Sequence, residues 1–201
     1  ALGTGLDNTG ACLAVSGTDL YVGGSFTQAG GSTRNRIAKW NGTTWSALGS
    51  GMNSSVISLA VMGTDLYAGG SFTSPANRVA KWNGSSWSAL GTGVGNNSVW
   101  ALASSGTDLY VGGDFTEAGG ITRNRIAKWD GATWSGLGTG MNSTVQSLIT
   151  VGTILYAGGQ FSNAGGVSAS RIAQWDGVSW SALGSGVNDQ VKALAVSTDK
   201  L

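Results

Sequence analysis

The chain has 201 residues, 35 of them glycine, with charged residues at only 10% and a formal net charge of +1. That balance leaves no basic footprint for nucleic acid or an anionic membrane surface, and no apolar run approaches the ~20 residues of a membrane helix. Histidine is absent, which removes Ser–His and Cys–His nucleophiles and most zinc, copper and non-haem iron sites. Glycine lies far above the usual ~7%, yet nine tryptophans and one proline (Pro75) call for a packed interior, not disorder.

The sequence Leu-Gly-x-Gly recurs at Leu2, Leu48, Leu90, Leu137 and Leu183, and divides the chain into repeats 2–47, 48–89, 90–136 and 137–182 with a partial fifth, 183–201. A spacing of this size with several short strands per unit is the mark of propellers and related arrays. The first strand of a unit is predicted at Ala11–Val15, Val56–Val61, Val99–Ala103, Val145–Ile149 and Val191–Val196. A tight Gly-Thr-Asp turn (Gly63-Thr64-Asp65 in the second unit) leads to a second strand such as Leu66–Gly70. A Gly-rich loop and a third strand, Arg78–Trp82, follow. Asn41-Gly42, Asn83-Gly84, Asp130-Gly131 and Asp176-Gly177 then predict two-residue type I′ hairpin turns into a fourth strand, Thr44–Leu48 and its equivalents. No window has helical periodicity.

Many strand residues are apolar on both parities, so each sheet must be covered on both faces. The predicted fold is therefore an all-β propeller of four-stranded antiparallel blades in a single domain or part of one. Tyr21, Tyr67, Tyr110 and Tyr156, with the pairs Trp40/Trp45, Trp82/Trp87, Trp129/Trp134 and Trp175/Trp180, are expected between neighbouring blades, their OH and NH groups bonded to loop backbone. The Gly-Gly pairs that end the second strands mark close backbone approach. Cys12 has small counterparts, Ser58, Ala101, Ser147 and Ala193, and reads as a packed side chain and not a reactive thiol.

Phe26-Thr27-Gln28-Ala29-Gly30-Gly31, then Ile37-Ala38-Lys39-Trp40-Asn41-Gly42, Trp45 and Leu48-Gly49, resemble a kelch repeat. They are more similar to the short repeats of secreted bacterial proteins and fungal cell-polarity markers. Trp40, Trp82, Trp129 and Trp175 stand where kelch repeats usually carry tyrosine. The resemblance implies a propeller outside the cell; it does not choose between an enzyme and a binding module. Kelch-like copper oxidases use histidine ligands, which this chain lacks.

Both ends fall inside a unit: Ala1–Gly5 reads as the tail of a fourth strand, and Asp199-Lys200-Leu201 falls where a second strand should begin. Three arrangements fit: an excerpt of a longer array, a compact four-bladed ring with a spare strand, or a strand-exchanged assembly using Val191–Val196 as an open edge.

Functional positions are sought where the copies differ. An early first-strand position reads Ala11, Ile57, Trp100, Gln146, Lys192 and is expected to ring the channel mouth, with Trp100 either packing between blades or offering a stacking surface. Arg36, Arg78, Arg125 and Arg171 recur in every unit and read as structural. Arg34 and Arg123 do not recur throughout and read as free surface charges. Asp19, Asp65 and Asp108 read as turn formers, and Lys39, Lys81, Lys128 and Gln174 as edge residues reaching to water. Asp114 and Glu117, the acidic residues of a long loop, read as solvated charges, with a glycosidase pair or a hard-cation site as the chemical alternative. Asn-x-Ser/Thr triplets occur at Asn41, Asn53, Asn83, Asn96 and Asn142.

The resulting expectation is a non-catalytic extracellular or cell-surface binding or structural module with no cofactor and no metal. A protein partner or self-association is favoured. Glycan binding is the alternative, followed by a hydrolase using Asp114 and Glu117. The candidate binding residues are Trp100, Gln146, Lys192, Arg34, Arg123, Asp114 and Glu117.

Overall fold

The computed structural model describes residues 2–197, and among them every regular element is a strand. Four blades follow one another, each a four-stranded antiparallel sheet with its strands in chain order. The first strands are Gly10–Ser16, Val56–Met62, Val99–Ser105 and Val145–Val151. The second are Asp19–Gly24, Asp65–Gly70, Asp108–Gly113 and Ile154–Gly159. The third are Ile37–Trp40, Val79–Trp82, Ile126–Trp129 and Ile172–Trp175. The fourth are Trp45–Ala47, Trp87–Ala89, Trp134–Gly136 and Trp180–Ala182. Second strands are buried on both faces, as the runs of apolar residues demand; Leu109–Gly113 has no exposed residue.

Two turn types differ from expectation. The Asn/Asp-Gly hairpins are four-residue loops, because Trp40 pairs with Trp45 and Trp129 with Trp134. Only the glycines take positive φ there (Gly42 98°, Gly131 101°), whereas a type I′ turn needs it at both central residues. The Asn or Asp side chain is committed instead: Asn41 Oδ1 accepts the amides of Thr43 and Thr44, and Asp130 Oδ1 those of Ala132 and Thr133. Type I′ character sits in the long loop, at Gly30-Gly31 (62° and 75°) and Gly119-Gly120 (68° and 76°). These glycines turn the small hairpins Gln28–Ala29/Ser32–Thr33 and Glu117–Ala118/Ile121–Thr122. Blade 4 repeats this at Gly165-Gly166, while the shorter blade 2 loop does not.

The Asp loops give acid stability a definite shape. Amides of Thr133 and Ala132 hold the exposed Asp130 carboxyl down to about 2, and Asp176 is lowered by Ser179 and Val178 in the same way. A lowered folded-state value stabilises above the unfolded range near ~4 and is lost as pH falls toward the folded value. Asp130→Asn/Asp176→Asn, which installs the residue of the first two blades, is expected to flatten the fall in urea midpoint between about pH 4 and pH 2. An unchanged slope would count against this role.

Blade stacking rests on one contact repeated along the chain. The valine opening each new first strand fills the hollow over the penultimate glycine of the preceding second strand. A methyl carbon added at Gly23, Gly69 or Gly112 would lie 2.5, 2.5 or 2.6 Å from Cγ1 of Val56, Val99 or Val145. The last glycine of each pair lies against a carbonyl of its own blade, Thr9, Ser55, Ser98 or Thr144. The second tryptophan of each unit donates Nε1–H to the carbonyl of the leucine that opens the unit, ahead of the blade's first strand: Trp45 to Leu2 (3.0 Å), Trp87 to Leu48 (2.8 Å), Trp134 to Leu90 (2.8 Å) and Trp180 to Leu137 (2.9 Å). The paired rings are tilted, with centroids 5.3–5.4 Å apart. The tyrosine half of the expectation does not hold: among the described residues no tyrosine hydroxyl has a hydrogen-bond partner, and Tyr67 and Tyr110 are held by burial.

First strands pack in series, blade 1 on 2, 2 on 3 and 3 on 4, with no comparable packing of blade 4 on blade 1. The described residues form an open arc and not a closed four-bladed ring. Val191–Val196 is also not a strand: among the described residues no second strand pairs with 191–197. The segment is nevertheless seated, with Val191 donating its amide to Gly159 O (3.1 Å) and Cγ1 filling the Gly158 hollow. The second strand expected to begin at Asp199–Leu201 lies outside the described residues.

Candidate functional site

The varied first-strand position is a β-bulge. In each blade the pairing register slips across it, between Gly10 and Cys12, Val56 and Ser58, Val99 and Ala101, and Val145 and Ser147. Ala11, Ile57, Trp100 and Gln146 are therefore the residues left out of the ladder. Trp100 is 40% exposed, and Gln146 is half-buried with Oε1 unpartnered among the described residues. Lys192 is exposed in the segment that follows Gln190.

Arg36, Arg78, Arg125 and Arg171 all adopt left-handed backbone, φ 63–67°, immediately before the third strand. Their backbones tie the loop closed: Arg125 N donates to Phe115 O and Gly113 N to Arg125 O, both at 2.9 Å. Arg125 Nη1 also donates to Phe115 O (3.1 Å), and Arg171 Nη1 to Gln160 O and Phe161 O (3.1 and 3.2 Å).

Arg34 and Arg123 are not free surface charges. Both are half-buried over the fourth strand: Arg34 donates to Thr33 O (2.7 Å) and Trp45 O (3.2 Å), and Arg123 to Thr122 O (2.9 Å). In each, Nε is buried without a partner among the described residues. Asp19, Asp65 and Asp108 do more than form turns. They pair across strands with Lys39, Lys81 and Lys128 at 2.9, 3.1 and 2.9 Å, so those lysines do not simply reach to water. The hydrogen bond to aspartate raises each lysine's pKa. Being about one-third exposed, each pair is worth at most ~1 kcal/mol. Blade 4 replaces both partners together, with Ile154 and Gln174.

Asp114 and Glu117 occupy different settings. Asp114 is half-buried with Oδ1 unpartnered among the described residues, where blades 1 and 2 have the serine pairs Ser25–Ser55 (2.9 Å) and Ser71–Ser98 (2.7 Å). Glu117 is exposed in the small hairpin beside Gly95. Among the described residues no cluster of three or more metal-ligating side chains forms.

Asn53, Asn96 and Asn142, all within Asn-x-Ser/Thr triplets, clamp the chain entering a blade to that blade's long loop. Their Nδ2 groups donate to Thr73, Thr116 and Ser162 hydroxyls (3.0, 2.7 and 2.9 Å). A glycan on any of these amides would displace the clamp.

Two kinds of concavity bear on the readings that follow. One repeats between the small hairpin and the tryptophan pair: about 370 Å³ at Gly30, Arg34, Trp40 and Trp45, and about 330 Å³ at Gly119, Ile121, Trp129 and Trp134. The other, about 580 Å³, occurs on the outer face of blade 1, lined by Leu2, Leu6, Leu13, Leu20, Val22 and Trp45. Leu13 and Val15 there are each 65% exposed, whereas Leu102, the equivalent of Leu13 in blade 3, is 8% exposed against blade 2.

Cys12 faces the other way, toward blade 2, with Sγ 3.8 Å from Val56 O. Burial pushes its pKa up to about 12. At pH 8 its alkylation is expected to be on the order of a thousandfold slower than that of a free cysteine. Labelling at the free-cysteine rate would show that blade 1 opens from blade 2.

A family model described as "Domain of unknown function (DUF5122) beta-propeller" matches residues 20–41, the second strand, long loop and third strand of blade 1. No match was found among curated proteins. Among solved structures, the computationally designed Ika4 protein is 18% identical with a TM-score of 0.56, over 86% of this chain and 94% of that one. The computationally designed Ika8 protein is also 18% identical with a TM-score of 0.56, over 94% of this chain and 66% of that one. These similarities agree with the arrangement of blades in assigning the chain a β-propeller fold.

Proposed function

We propose that this chain is a non-catalytic structural and binding module of an extracellular or cell-surface protein, acting by association through its blade faces. The observation that carries this reading is the outer face of blade 1. It presents Leu13 and Val15 at 65% exposure around an apolar concavity of about 580 Å³, where every internal blade face of the same kind is covered. The low charge and the Ser/Thr/Asn-rich surface suit an extracellular setting.

Sedimentation of the chain and of Leu13→Glu/Val15→Glu over a wide concentration range tests the reading. Association by the unaltered chain and its loss in the variant are expected. A chain that stays monomeric, or a variant that associates equally well, overturns it.

A second reading, glycan recognition, is favoured by the hairpin–tryptophan concavities, which recur in blades 1 and 3. It predicts several equivalent weak sites per chain on a glycan array, reduced by Arg34→Ala. Trp100→Ala tests whether the exposed inner tryptophan contributes. Absence of binding to every glycan removes this reading.

A further inference from the structure

We infer that the partner of this surface is a second copy of the chain, joined head to tail, with the 191–196 segment of one copy serving as the innermost strand of the other copy's first blade. This rests on the association reading above and specifies its geometry.

The two segments concerned are repeats of each other. Residues 182–197 read Ala-Leu-Gly-Ser-Gly-Val-Asn-Asp-Gln-Val-Lys-Ala-Leu-Ala-Val-Ser, and residues 1–16 read Ala-Leu-Gly-Thr-Gly-Leu-Asp-Asn-Thr-Gly-Ala-Cys-Leu-Ala-Val-Ser. They compete for one position, the first strand against a second strand such as Asp19–Gly24. The C-terminal segment is already seated on blade 4 through Val191, but among the described residues it forms no strand ladder. The N-terminal one is paired with Asp19–Gly24 and, among the described residues, keeps Leu13 and Val15 exposed on its outer face.

One of the differences between them decides the competition. Every internal blade junction is plugged by a valine over glycine: Val56 on Gly23, Val99 on Gly69, Val145 on Gly112. Val191 continues the series on Gly158, whereas the equivalent of the N-terminal segment is Gly10, which has no side chain to insert. When blade 1 of one copy docks on blade 4 of another, the strand carrying the plug is therefore 191–196. Exchange conserves the ladder, since one first strand replaces another. It also covers Leu20 of the incoming blade, half-buried in the single chain, in the manner of the internal junctions. The contact is heterologous, so it closes into a ring or continues as a filament according to the rotation it imposes.

The register Leu13↔Val22 places Leu194 opposite Val22 of the second copy. A Cys12→Ser/Leu194→Cys chain mixed with a Cys12→Ser/Val22→Cys chain and mildly oxidised is expected to give a disulfide between the two different chains. In the unaltered chain, amide exchange of 191–196 is expected to slow at least tenfold on association. Val191→Gly is expected to weaken association roughly tenfold or more. Particles that form without the cross-link or the added protection overturn the exchange and leave association through another face standing. A monomer with neither signal overturns both. If a third variant carrying Cys12→Ser, Val22→Cys and Leu194→Cys in one chain closes on itself at high dilution, the partner is the chain's own first blade and the second copy is refuted.

Discussion

Gly113→Ala is expected to lower stability by about 3 kcal/mol or more, a large effect for adding one methyl group. The backbone at Gly113 is not left-handed, so alanine's φ preference costs nothing there. The obstacle is space: the new carbon would collide with Ser98 O and lie 2.9 Å from Phe115 Cδ1. Neither can give way cheaply. Phe115 is fully buried, and Ser98 O accepts the Asp114 amide (3.3 Å) one residue before Val99, which plugs the Gly69 hollow of blade 2. Relieving the clash moves Ser98 and Val99 together and loosens the junction between blades 2 and 3. Gly131→Ala is the control: its φ of 101° is unfavourable for alanine, but nothing lies within 4 Å, so about 1 kcal/mol is expected. Urea unfolding followed by circular dichroism measures both. Equal losses would show that φ and not packing governs these glycines.

The strand pattern was legible because it is local and repeated: apolar runs, Gly-Gly ends and tryptophan spacing recur with each blade and correspond to strands within a residue or two. The turn chemistry was misread because Asn-Gly satisfies two geometries. It suits a type I′ turn through its backbone and a four-residue loop through its side chain, and the amides of Thr43 and Thr44 decide for the second. The ion pairs were present in the sequence as a joint change. Asp and Lys accompany each other in three units and give way together to Ile154 and Gln174, a signal missed because each residue was considered alone. The bulge explains why the Trp100 and Gln146 positions vary, which the variation alone could flag but not explain. Arg34 and Arg123 were misplaced because their acceptors are backbone carbonyls, which leave no trace in composition. The open arc was beyond reach of pattern reading, since closure depends on small blade-to-blade rotations that accumulate over the whole series.

Trp134→Ala is expected to cost about 3–5 kcal/mol, and Trp134→Phe about 1–2 kcal/mol. Trp134 joins three parts of the structure that are distant in sequence. Its ring lies 5.3 Å from that of Trp129, tilted by 54°, within its own blade. Its Nε1–H reaches back 2.8 Å to Leu90 O, in the tail of blade 2. The long-loop hairpin rests on its side chain, so that a methyl carbon added at Gly119 would come within 2.8 Å of Trp134 Cβ and Cδ1. Phenylalanine keeps the ring contacts but leaves the Leu90 carbonyl without its donor. Alanine removes the support of the hairpin as well. Because the indole anchors the tail of the preceding blade, the loss should spread to blade 2, visible as faster amide exchange at Leu90 and Val94 as well as within blade 3. Val178→Ala, at a side chain 85% exposed, is the control and should change stability by less than about 0.5 kcal/mol. If Trp134→Phe proves as costly as Trp134→Ala, the hydrogen bond to Leu90 governs the junction; if it proves neutral, the stacked rings do.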